Sequence, residues 1–162
     1  MDSDIKLLLE TAENELDLAK VIFTTTEDKK IQTEIFHLDR TQTFYSSVIN
    51  HAYYCIFYSA KAYLLIKRIK TNAPEVHKKT FEAFKKLVEN KIVSKELLKI
   101  YEEVLIRAET LLEIFKQEKK KRGEFTYQRV AQANREPAKQ SLENAKLFFS
   151  NIFRICSTRE QF

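Results

Sequence analysis

Two short stretches combine the residue types that handle phosphates, bases or protons. The first is Arg122-Gly-Glu-Phe-Thr-Tyr127, which follows the charged run KQEKKKR at 116–122. A guanidinium grips phosphate through two parallel hydrogen bonds, and Phe125 and Tyr127 offer rings against which a base can lie. The second is Asn50–His51, a polar pair inside an otherwise apolar segment. Buried polar groups need partners or a cavity. Arg122, Tyr127, Asn50 and His51 are therefore the candidate nucleotide- or RNA-binding residues, and Arg122, Tyr127 and His51 are the candidates for catalysis. They are expected to converge on a cleft lined by basic side chains.

Other chemistries find little to work with. A single glycine, Gly123, rules out glycine-rich phosphate loops. His37, His51 and His77 are far apart and none pairs with a cysteine at ligand spacing, so no metal site is expected. Glu102, Glu103, Glu109 and Glu113 alternate with basic residues as on a wet helix face. No cofactor is implied.

The elements that must position these residues are helices. One glycine and two prolines leave few tight turns, which fits long helices joined by polar links. Ile5, Leu8, Leu9, Ala12, Leu16, Ala19 and Phe23 recur at helical spacing and predict a helix over 3–24, capped by Ser3. Residues 24–40 read as a long connection with at most a helical turn. A second helix, 41–70, is apolar on nearly all sides and must be packed all round. It ends in Lys67, Arg68 and Lys70, which suit a helix C-terminus. A third helix, 74–90, carries a capping signal of Asn72, Pro74 and Glu75, and its apolar face is His77, Phe81, Phe84, Leu87 and Val88. A fourth helix follows Ser94 and closes at Gly123. A fifth starts near 135 with Asn134 as its cap. The prediction is an all-α, antiparallel up-down bundle of about five helices forming a single domain over 1–162.

Charge is unevenly placed within a net of +5. Residues 1–60 hold 5 basic and 10 acidic residues, and residues 61–91 hold 9 and 3. That asymmetry predicts a basic face for an anionic partner such as RNA. The acidic N-terminus is unlike a signal peptide, and the stretch from Phe44 to Ile66 is too polar for a bilayer. Cys55 and Cys156 read as buried thiols of a reducing, cytoplasmic setting. Apolar surface on the second and fifth helices predicts a homodimer.

The second helix, VINHAYYCIFYSAKAYLL at 48–65, resembles the signature helix of the HEPN domain family through Tyr53, Tyr54, Phe57, Ala60 and Ala62. VHKKTFEAF at 76–84 is similar to that family's next helix through His77 and Phe84. EKKKRGEFTYQ at 118–128 and NREPAKQSLENAKLFFSNI at 134–152 resemble later segments of an archaeal-looking branch. The resemblance implies a bundle, often dimeric, paired with a minimal nucleotidyltransferase as toxin and antitoxin. It also implies metal-independent RNase activity through an R-x(4–6)-H motif. In that motif arginine holds the phosphate and histidine exchanges the proton. Arg122 takes the arginine position, and Tyr127 stands where histidine is wanted. His51 stands where arginine is common in the signature helix. A phenol titrates near about pH 10 and is a poor base at neutrality. The expectation is binding to a nucleotidyltransferase, a nucleotide or RNA without efficient cleavage. The alternatives are an endoribonuclease with an R-x4-Y site and a purely structural helical dimer.

Overall fold

The computed structural model of the chain describes residues 2–121 and 135–158, with side chains described for 2–111 and 135–158. Arg122, Tyr127 and Asn134 lie outside the described residues. Five α-helices and one π-helical turn carry the fold, with no strand among the described residues: α1 Ser3–Glu27, the turn Ile31–Ile35, α2 Tyr45–Ile66, α3 Val76–Glu89, α4 Lys95–Lys121 and α5 Arg135–Thr158. The all-α bundle predicted from periodicity is present.

α2 is the central element and touches all four other helices. Its buried side chains lie all round it, from Tyr45 and Val48 to Tyr63 and Leu64. The apolar surface of α2 is thus largely spent inside the chain. Among the large hydrophobic residues of α2, Tyr54 alone is exposed.

Cross-helix contacts fix the directions. Glu27 bonds Tyr45, Glu15 bonds His51, and Leu7 and Leu8 share a cleft with Lys61 and Leu65, so α1 runs antiparallel to α2. Arg107 reaches Gln140 and Ser141, and Asn144 donates to Glu103, so α4 and α5 are antiparallel. The guanidinium of Arg135 forks onto Glu27 at 2.6–3.1 Å and ties the start of α5 to the end of α1. α3 is the exception to the alternation. Tyr53 meets His77 and Tyr63 meets Phe84, so α2 and α3 run in the same general sense, because the link between them doubles back.

Several helix ends differ from the sequence expectation. Asp2, rather than Ser3, caps α1 by accepting from the Asp4 N–H at 3.2 Å. α1 runs on to Glu27. Its last turn includes buried Thr26, whose hydroxyl accepts from the Phe44 N–H at 3.2 Å. α2 stops at Ile66, because Arg68 turns left-handed (φ 59°) and Ile69 donates back to Leu64 at 2.9 Å. Lys91 ends α3 in the same way, with Ile92 donating to Leu87 at 2.9 Å. Glycine usually takes this position, yet the only glycine in the chain lies elsewhere. The expected capping box of α3 does not form. Glu75 is the N-cap, left-handed and without a side-chain cap bond, and the Asn72–Pro74 segment belongs to the returning link. The buried hydroxyls of Thr71 and Thr80, 2.8 Å apart, pin that link to α3.

The connection after α1 is more ordered than its mixed composition suggests. Gln32 in the π-helical turn is 1% exposed. Its amide nitrogen donates to the Thr25 and Gln42 carbonyls at 2.9 Å each, and its oxygen accepts from the Gln42 N–H at 2.7 Å.

Candidate functional site

Asn50 and His51 are neighbours on α2, but successive helical residues project about 100° apart. They serve different sides of the helix. His51 turns to α1, where Nδ1 lies 2.6 Å from Glu15 Oε2 in a half-buried pair. Asn50 turns to a cleft of about 770 Å³ between α2, α3 and α4. Its amide makes no hydrogen bond with a described residue.

The wall beside Asn50 is aromatic. Tyr53 and Phe57, one helical turn apart, meet His77 at the start of α3. The His77 ring stacks on Phe57 with centroids 4.1 Å apart and planes 25° apart. Tyr54 meets it edge-on at 5.9 Å. Tyr53 Oη lies 2.9 Å from His77 Nδ1. Burial, aided by the positive charge of Lys61, holds the imidazole below its usual value. Burial, and then nearby Tyr54 and Glu109, pushes the Tyr53 phenol well above its usual value. Both groups are therefore neutral at pH 7. With the phenol as donor, the imidazole hydrogen sits on Nε2.

Phe81, Leu105 and Ala108 supply the apolar floor. Behind it stands Tyr101, whose ring meets Phe81 edge-on at 5.2 Å and lies 6.4 Å from Tyr53. The charged groups on the lining are Glu75, Lys78 and Glu109. None of the three forms an ion pair with a described residue. Among the described residues, two carboxylates against one ammonium, with His77 neutral, make the lining weakly acidic. The basic lining expected of a cleft shared with Arg122 and Tyr127 concerns residues that lie outside the described ones. Most of the α3 lysines project elsewhere, and only Lys78 lines this cleft.

Of the four residues expected to converge, Asn50 and His51 are described, and they face opposite neighbours. By sequence, His77 belongs to an apolar helix face and a family-like segment, not to a site. Its placement against Tyr53 and Phe57 is a contact between elements, and no spacing within one helix announces it. Cys55 and Cys156 are buried, and burial pushes the Cys55 thiol up to about 12, which leaves it inert as a nucleophile at neutral pH. Among the described residues no cluster of three ligating side chains could hold a metal ion. No described helix is long and apolar enough to cross a membrane.

No protein-family model matches the chain, and no curated protein or solved structure matches it significantly.

Proposed function

We propose that the chain is a HEPN-like helical module of the cytoplasm. In this reading it is a toxin–antitoxin-type component that binds a minimal nucleotidyltransferase partner, a nucleotide or RNA without cleaving RNA efficiently. The observation that carries the second half of this reading is the bond between His51 and Glu15. His51 is the one histidine among the catalytic candidates, and its Nδ1 is engaged on the α1 side of α2, away from the cleft that Asn50 lines. Support for the first half is that the helix bearing the family-like motif is the central helix, with Tyr53, Phe57, Ala60 and Ala62 all buried. A homodimer belongs to the same reading, with Leu147 and Phe153 as exposed apolar residues on α5.

The test combines filter binding of purified protein to total RNA with a cleavage assay in chelator. The expected result is binding that weakens steeply with salt, since released counterions drive it, and no cleavage. Arg122→Ala weakens binding, and Tyr127→His raises cleavage from its baseline. Metal-independent cleavage by the unmutated protein that is lost in Tyr127→Phe would establish the endoribonuclease alternative instead. A light-scattering mass of a dimer with no RNA bound, and no nucleotidyltransferase recovered from native cells, would leave the structural dimer.

A further inference from the structure

The lining of the α2–α3–α4 cleft is rich in acceptors and poor in positive charge. Among the described residues, Glu75 and Glu109 face it without an ion-pair partner and the Asn50 amide faces it without a hydrogen bond. On the surface of α1, by contrast, Glu10 and Asp17 are each neutralised by a lysine within the helix, Lys6 at 3.7 Å and Lys20 at 2.8 Å. The rings beside the carboxylates are electron-rich faces. Tyr54 is 38% exposed at the cleft, and the His77 ring is stacked and neutral. The same aromatic cluster already holds one cation on a neighbouring side, where Lys61 Nζ sits 5.7 Å from the Phe57 ring centre.

We propose that this cleft receives a guanidinium group, carried either by a small free guanidino compound or by an arginine of a partner protein. A guanidinium is planar, stacks on aromatic faces and offers a fork of donors. Glu109 accepts that fork from α4, Tyr54 and His77 supply the faces, and the Asn50 oxygen takes a remaining N–H. The apolar floor of Phe81, Leu105 and Ala108 suits the methylene stem that such a group carries. A phosphate gains little from the described lining, where Lys78 is the one cation and two carboxylates oppose it. The proposal shares Asn50 with the helical-module reading above but otherwise rests on different groups, Glu109, Tyr54 and His77.

The experiment is NMR titration of the full chain, following the His77 and Tyr54 ring resonances. Three probes are used: agmatine, a capped Gly-Arg-Gly peptide, and adenosine monophosphate as an anionic comparator. Agmatine and the peptide are expected to shift both rings saturably, with adenosine monophosphate leaving them unmoved. Glu109→Gln should weaken binding by about tenfold through loss of the charged acceptor. Tyr54→Ala should weaken it by about threefold through loss of one ring face. Both positions are exposed, and unchanged circular dichroism confirms that the variants fold. Tighter binding of the peptide than of agmatine assigns the group to a partner protein, and the reverse order assigns it to a free small cation. The proposal is overturned if neither cation shifts the rings, if adenosine monophosphate does so instead, or if Glu109→Gln binds agmatine as well as the unmutated protein. Failure of RNA binding leaves these outcomes unchanged.

Discussion

Two aromatic clusters meet at Tyr53, Phe81 and Tyr101, and they are used in opposite ways. On the inner side, Phe84, Tyr101 and Phe148 lie 5.5–5.9 Å apart and are fully buried. They close the junction of α3, α4 and α5. On the outer side, Tyr54 and His77 form a wall that the helices leave open to the cleft. The same residue class thus makes a dry joint on one side and a wetted surface on the other. What separates them is the neighbouring element: α5 covers the inner rings, and nothing described covers the outer ones. Rings kept uncovered add little to stability, which makes them available to a ligand.

The sharpest test of that division removes a ring from the inner cluster. Phe84→Ala is expected to cost about 3–5 kcal/mol, as for other buried aromatic truncations, read from guanidinium denaturation. A loss under about 1 kcal/mol would show that the inner cluster is not the joint described. Next in size is Tyr101→Phe. The Tyr101 hydroxyl is buried without a hydrogen-bond partner among the described residues. Burying it unpaired carries a desolvation cost, so its removal should raise stability by about 1 kcal/mol. A loss of stability instead would reveal a partner for that hydroxyl. Tyr54→Ala, on the outer wall, should change stability by less than about 0.5 kcal/mol. A larger loss would erase the contrast between the two clusters.

The smallest effect is on pH dependence. Because the folded state holds the His77 pKa below its ordinary value, the unfolded chain binds more protons than the folded one between those two values. The contribution of His77 is fully present above the ordinary histidine value and is lost as pH falls through the lowered one. His77 is only partly sheltered, so the effect is modest. His77→Gln should flatten the fall in melting temperature between about pH 7 and pH 5. An unchanged slope would remove the role given to ring burial.

The sequence made the helices legible because each long element repeats its apolar residues at one period. Leu9, Ala12, Leu16 and Ala19 of α1 are buried as that period requires. The ends were less legible. Arg68 and Lys91 take left-handed positions that composition assigns to glycine, so neither reads as a stop signal. Asn50 was legible as a polar residue in an apolar helix, and it does face a cleft. His51 carried the same signal, but its answer is Glu15, 36 residues away and inconspicuous on a charged helix. His77 and the two acceptors Glu75 and Glu109 come together only through packing between helices, which a single sequence does not print.

The amide of Gln32 bears on how copies of this chain exchange parts. It adds side-chain bonds that tie the π-helical turn to the end of α1 and to Gln42 ahead of α2. A connection held in this way is no hinge. For α1 to leave its own α2 and cross to another molecule, the Gln32 side chain would have to abandon its backbone partners on Thr25, Thr26 and Gln42 at once in the dry interior. Three-dimensional swapping of the N-terminal helix is thereby discouraged at its pivot. Amide hydrogens of α1 and α2 should exchange with solvent together, as one cooperative hairpin, well after those of the exposed link that leads into α3.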